Sequence, residues 1–312
     1  MMSVRNLILL FDGTMNKAST GGDNNQTNVE KLYRLLPDSS VNNIHYEEGV
    51  GVKSEEAILG GGFGAGVDDR VLGAYRFLQS RLADTEFDNR LFIFGFSRGA
   101  YTARAFAQLL AYCGVPTAKG NCQSAWNCYY RQDRAAADQL KTSGDYVDAN
   151  IDFLGVWDTV KSTLDADRKD RTLYPNVKAA YHAMSIDEKR LNFPVLRFDD
   201  DDRVTQAWFA GVHSDVGGGY SGDESQLSDI TLNWMVTAAQ KHGLKFIEDI
   251  QDYMDPSPTG VLHDSYEGAW KALGERVRDI AADEHIHQSV KARLAGDVNY
   301  LPSNLPPDPI FV

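Results

Sequence analysis

Short runs of consecutive apolar residues alternate along this chain with longer stretches in which apolar positions recur every three or four residues. That alternation predicts buried parallel strands joined by amphipathic helices. Leu7 to Phe11 is a continuous apolar run ending in Asp12-Gly13-Thr14, as in a central strand that exits through a tight turn. Thr27-Asn-Val-Glu30 reads as a capping box at the head of a helix that stops before Pro37. Asn43 to Glu47 predicts a short strand. Asp68 to Leu82 predicts a helix, with Val71, Ala74, Leu78 and Leu82 on one face. Arg90 to Phe94 reads as a second buried strand, and Ser97 to Tyr112 as a helix closed by Gly114. Further on, Ile151 to Trp157 predicts a strand ending at Asp158. Val195 to Phe198 predicts an edge strand, and Gln206 to Val212 a strand ending at His213. Ser228 is placed as the cap of a helix that runs to His242 and stops at Gly243. Residues 119–150 are polar and aromatic without a clear period and read as a helical excursion over the sheet. The glycine-dense stretch Gly60 to Gly66 is a loop, and the proline-rich stretch Pro302 to Pro309 lies extended. No repeat or low-complexity linker divides the chain. The expectation is one α/β domain over residues 1–300, a mostly parallel central sheet with helices on both faces, followed by an extended tail over 301–312.

Composition narrows the class of function. Of the 312 residues 43% are hydrophobic, which supplies a large core and excludes global disorder. Lys and Arg number 31 against 44 Asp and Glu, for a net charge of -13. A chain this acidic repels a phosphate backbone, and no local basic patch offsets the repulsion, so nucleic acid is not an expected partner. The same argument disfavours purely electrostatic docking on anionic lipid. Cys113, Cys122 and Cys128 are an odd count without disulfide or zinc spacing and read as reduced thiols. The N-terminal apolar run is too short for a signal peptide, and no stretch approaches a transmembrane helix. A cytoplasmic protein, or one exported without a cleavable signal, is expected.

The candidate chemistry centres on Gly95-Phe-Ser-Arg-Gly99, a G-x-S-x-G pentapeptide with a buried strand before it and a helix after it. A nucleophile elbow needs that context: the flanking glycines make room for a sharp turn that presents the Ser97 hydroxyl at a helix N-terminus. A serine that merely caps the helix asks for neither glycine. A serine nucleophile needs a base and a carboxylate to orient it, and in α/β-hydrolases these follow in the order Ser, Asp or Glu, His. Catalytic groups gather beyond the carboxyl ends of parallel strands. Asp158 and His213 each end a predicted strand and fall in that order. Among the other histidines, His45 precedes Ser97, and His182 and His242 lie in or near helical segments. His285 and His287 come late. His263, in Val-Leu-His-Asp-Ser265, is the serious rival and could instead line the acyl pocket. The Arg98 amide is one expected oxyanion donor, and the turn at Gly13 and Thr14 supplies the other. Phe96, Gly62, Phe63 and His263 are the expected substrate contacts. Gly60 to Ala65 also satisfies a loose G-x-G-x-x-A, but no Lys-Ser or Lys-Thr follows, so a substrate-facing loop is favoured over a nucleotide site. No metal or other cofactor is called for, and the acidic run Asp199 to Asp202 reads as a solvated turn.

Phe11-Asp-Gly-Thr-Met-Asn16, the Gly-rich stretch to Asp69, Gly95 to Arg104, Gly155-Val-Trp-Asp-Thr159 and Gly211-Val-His-Ser-Asp-Val-Gly-Gly-Gly-Tyr220 occur here in one order. Together they resemble the α/β-hydrolase domain family that includes the type VI secretion lipase effectors, over roughly residues 4 to 290. The resemblance implies a Ser97–Asp158–His213 triad and ester hydrolysis, with phospholipids as substrates of the best-known members. It also implies transient membrane contact and, for a secreted effector, an immunity or secretion partner. The effectors of this family are usually longer than this chain. The expected function is therefore a lipase- or phospholipase-like serine esterase. The alternatives are a short-chain carboxylesterase acting on soluble esters and a non-catalytic binding module on the same fold.

Overall fold

The computed structural model describes residues 3–13, 25–37, 39, 41–49, 67–82, 86–160 and 171–312. Eight strands form one sheet: β1 (Ser3–Phe11), β2 (Asn42–Glu47), β3 (Phe87–Phe96), β6 (Phe153–Trp157), β7 (Ala180–Ser185), β8 (Val204–Phe209), β9 (His285–Ile286) and β10 (Ile310–Phe311). Their order is β10-β9-β8-β7-β6-β3-β1-β2, and every pairing is parallel. Two short strands, β4 (Val115–Pro116) and β5 (Tyr146–Val147), make a separate antiparallel pair.

The continuous apolar runs make sense because both faces of this sheet are covered. Successive residues of a strand point to opposite faces. Leu7, Leu9, Phe11, Leu91 and Ile93 therefore join one core with helices α2 (Val67–Leu82) and α3 (Arg98–Cys113). Ile8, Leu10, Phe92, Phe94 and Phe96 join the other with α1 (Asn28–Leu35) and α7 (Gln226–Lys241). Ile8, Leu9 and Leu10 have no exposed surface, and burying each such side chain contributes about 1.5–3 kcal/mol. Helices α4 (Cys122–Tyr130) and α5 (Arg134–Thr142) pack against α3. The last helix, α8 (Gln288–Gly296), lies between β9 and β10 in the chain and places Val290 in a third core with Trp208 and Ile286.

Helix α1 begins as expected: the Thr27 hydroxyl accepts from the Glu30 amide at 3.1 Å. Helix α7 starts two residues before the expected cap, and Ser228 inside its first turn donates to the Ser225 carbonyl at 2.8 Å. The expected edge strand at Val195 to Phe198 does not form. Val195 makes one isolated antiparallel bridge to Val160, and the place beside β6 is taken by β7, Ala-Tyr-His-Ala-Met-Ser. That sequence lacks a strand's apolar pattern because its buried His182 is satisfied by polar partners. Its Nε2 accepts from the Thr159 amide at 3.1 Å, and its Nδ1 lies 3.3 Å from Gln206 Oε1. His182 is thus a strand residue, not a helical one.

The chain leaves β1 toward β2 on one side and returns to β3 on the other. The strand order reverses there, so a crevice opens at the carboxyl ends of β1 and β3. Asp12, Ser97 and Asp158 follow β1, β3 and β6 directly. His213 follows β8 after a three-residue turn and opens the short helix α6 (His213–Gly217).

Candidate active site

A single residue turns β3 into α3. Ser97 has φ 60 and ψ -124, a conformation that costs a residue with a side chain about 1–3 kcal/mol. Neighbouring backbone holds it there: the Ser97 amide donates to Trp157 O at 3.0 Å, and Ser97 O accepts from Tyr101 N at 3.2 Å. The two glycines are sterically required. A Cβ on Gly95 would lie 2.5 Å from Gly99 O, and one on Gly99 would lie 2.1 Å from Phe11 O. The Ser97 hydroxyl makes no cap to α3. It meets His213 Nε2 at 2.8 Å instead.

His213 Nδ1 lies 2.5 Å from Asp158 Oδ2. An ionised carboxylate only accepts, so Nδ1 carries the proton and Nε2 is left as the acceptor facing Ser97. Asp158 is fully buried, with φ 38, and also accepts from the Ser185 amide at 2.9 Å. Burial pushes its pKa up, but the charge of Arg278 and the contact with His213 outweigh this and hold it well below the usual carboxylate range. Burial lowers the pKa of His213 below 6.5, with Asp158 pulling the other way. The ring is neutral at neutral pH, the form a base requires.

The imidazole is held on both faces. Phe96 lies 4.7 Å from it and Phe193 meets it edge-on at 5.1 Å. Its backbone amide donates to Glu188 Oε2 at 3.2 Å. Arg190 grips the same buried carboxylate through Nε at 2.9 Å and Nη2 at 2.8 Å. Helix α6 is tied to two other helices through Asn28 of α1. Its Nδ2 donates to Val216 O at 3.0 Å, Ser228 O at 3.0 Å and Thr231 Oγ1 at 2.9 Å.

Ser97, Asp158 and His213, named from the sequence, come together in one hydrogen-bonded chain. Arg98 opens α3 as expected. Gly13 is different: its amide donates to Asp12 Oδ1 at 2.6 Å, so the oxyanion donor expected there is already engaged. Asp12 is buried, which raises its pKa to about 6, and it also accepts from Thr27 Oγ1 at 2.8 Å and Tyr46 Oη at 2.5 Å. The contact expected at Phe96 is also corrected, because the ring is 2% exposed and packs on His213 and Gly217 rather than offering surface to a ligand. His263 is not brought to Ser97. Its Nδ1 lies 2.6 Å from Asp215 Oδ1, and its ring stacks on Tyr220 at 3.5 Å, so it braces α6 from behind. Thr14, Gly62 and Phe63 lie outside the described residues, as does the Gly60 to Gly66 loop. The acidic run is partly paired: Asp201 binds Arg203 at 2.6 Å and Asp199 binds Arg171 at 3.0 Å. Among the described residues no group of three His, Cys, Asp or Glu is arranged to hold a metal ion.

Arg278, Glu188, Arg190 and Phe193 escaped the sequence reading. Glu188 follows β7 by three residues, so recognising that strand would have placed it at the carboxyl edge. Arg278 follows no motif, and nothing local marks it.

The model of the T6SS phospholipase effector Tle1-like catalytic domain matches residues 5–238. The chain belongs to this family. An uncharacterized protein of Saccharomyces cerevisiae, YEL023C, is 31% identical over 235 residues, covering 63% of this chain and 33% of that protein. The crystal structure of an uncharacterized protein from Pseudomonas aeruginosa has a TM-score of 0.53 at 20% identity, covering 82% of this chain and 49% of that one. A Tle1 effector bound to the VgrG spike of a type 6 secretion system has a TM-score of 0.40 at 22% identity, covering 72% of this chain and 53% of that one. The chain therefore spans a third to about half of the length of these relatives. The parallel sheet with helices on both faces is an α/β-hydrolase-like fold.

Proposed function

We propose that this chain is a serine ester hydrolase of the lipase and phospholipase class. The observation that carries the reading is the unbroken contact from Asp158 through His213 to Ser97 at a strained strand-to-helix turn. His213 Nε2 takes the Ser97 hydroxyl proton as Oγ bonds to the ester carbonyl carbon. The oxyanion that forms faces the Arg98 amide and the N-terminus of α3. Collapse breaks the bond to the alcohol, which leaves with the proton from His213. Water then attacks the acyl-enzyme with His213 as base, freeing the acid and Ser97. Asp158 orients the ring and stabilises the transient imidazolium.

Family membership supports phospholipid esters as substrates. No helix among the described residues is long and apolar enough to cross a membrane.

Phosphatidylcholine and phosphatidylglycerol vesicles, assayed beside short-chain p-nitrophenyl esters with products identified by mass, test the proposal. Release of fatty acid from vesicles, lost in Ser97→Ala, is the expected result. Turnover of the soluble esters alone would make it a carboxylesterase. No turnover and no labelling of Ser97 by a fluorophosphonate would leave a binding module.

A further inference from the structure

Asp158 has a second charged partner besides His213. Arg278, 120 positions further along the chain, sets Nη1 2.6 Å from Oδ1 and Nη2 3.0 Å from Oδ2. This is a bidentate fork on a carboxylate with no exposed surface. Arg278 is itself 6% exposed. Its guanidinium also donates to Ser185 O at 2.9 Å, Ser185 Oγ at 2.6 Å and Phe193 O at 2.8 Å, which fixes its plane.

A carboxylate buried this deeply among neutral groups takes up a proton. Protonated Asp158 would donate to His213 Nδ1. The ring proton would then sit on Nε2, which could no longer accept from Ser97. We propose that Arg278 is a positioning residue for the reaction: its fork keeps Asp158 ionised and so holds His213 in the tautomer whose Nε2 faces Ser97. The proposal rests on the serine-hydrolase reading above.

The other charged groups nearby do not substitute for it. His182 on β7 is pushed down to about 3 by burial and is neutral. Glu188 adds negative charge, and Arg190 is committed to it at 2.8 Å. Arg104 on α3 donates to Leu196 O at 2.5 Å and lies 3.7 Å over the Phe198 ring. Among the described residues, Arg278 is the guanidinium in contact with the Asp158 carboxylate. Arg278 and Phe193 also line a cavity of about 120 Å³.

The test is kcat/KM against pH for wild type, Arg278→Gln and Arg278→Lys on a soluble ester, with folding checked by circular dichroism and melting. The Gln variant is expected to lose about 10²–10⁴-fold at neutral pH, mostly in kcat, and its acid limb to move to higher pH. Lys keeps the charge without the fork, so it should restore the limb and part of the rate. A uniform loss at every pH, with the limb at its wild-type position, would assign Arg278 to structure alone and overturn the proposal. Should the Gln variant fail to fold, carbon NMR of the wild-type aspartates decides. Asp158 staying ionised below the ordinary value of 3.8 supports the proposal, and a titration step above it overturns it. Failure of the underlying reading is seen separately: full activity in Ser97→Ala removes the serine mechanism, and the role of Arg278 with it.

Discussion

On the proposed mechanism Ser97, His213 and Asp158 act as a unit, so the effects of replacing them are not expected to add. Ser97→Ala should lower turnover by about 10³–10⁶-fold with an unchanged melting temperature, because a 5% exposed hydroxyl is removed and no packing is lost. Asp158→Asn should cost about 10⁴-fold, since its amide invites the wrong imidazole tautomer. The direction of the His213 shift sets the acid limb. Burial favours the neutral ring, so activity should persist below pH 6.5 and fall only as the pH drops through the lowered folded value. A kcat/KM profile with its acid midpoint above 6.5 would contradict the burial argument. The same group adds stability that is present above 6.5 and lost as the pH falls below it. Asp12 and Asp187 work in the opposite sense. Burial raises both to about 6, so each favours the protonated folded state, and stability from them falls as pH rises from 3.8 toward 6. Asp187→Asn should therefore flatten that fall, measured by urea unfolding at several pH values.

At the scale of elements, α6 is the piece on which the base depends. It has five residues, too few to be stable alone, and is held by contacts from other parts of the chain. Asn28 ties it to α1 and α7: its Nδ2, with two N–H groups, lies 3.0 Å from Val216 O on α6 and 3.0 and 2.9 Å from Ser228 O and Thr231 Oγ1 on α7, and Asn28 has no exposed surface. Asn28→Ala should cost about 1–3 kcal/mol, the range for leaving buried acceptors unpaired, and should lower kcat by loosening His213. Chemical denaturation together with kcat is the check. Gly217, at the end of the same helix, is the second such point. A Cβ there would lie 1.9 Å from the Phe96 ring, which in turn packs on His213. Gly217→Ala should therefore cost about 1–3 kcal/mol and disturb the His213 ring.

For the whole molecule, the net charge of -13 bears on how substrate is met. Like charges repel, and salt screens the repulsion over about 8–10 Å. Turnover on anionic vesicles should therefore rise with added salt, while turnover of a neutral soluble ester should not. A fall with salt on anionic vesicles would point to a basic docking surface. The cysteines carry no crosslink: Cys113 and Cys122 are buried and burial pushes Cys113 up to about 12. Reducing agent should leave the melting temperature unchanged.

Patterning by itself determined the sheet's central strands, their flanking helices and the strand-to-helix turn at Ser97, because these are local signals. An apolar run such as Leu7 to Phe11 can only be buried on both faces, and Gly95 and Gly99 permit a turn that other residues would block. It also placed Ser97, Asp158 and His213 after strands, and each does follow a strand or the turn after one. It failed at β7, where a buried His182 hides the strand, and at Gly13, whose amide is claimed by a neighbouring carboxylate. It preferred His213 to His263 from strand-end order alone, whereas packing sets the His213 ring against Ser97 and the His263 ring against Asp215. Arg278 was beyond it altogether. A charge that matters through a contact 120 positions away leaves no trace in local pattern and acquires its meaning only when the fold buries Asp158 against it.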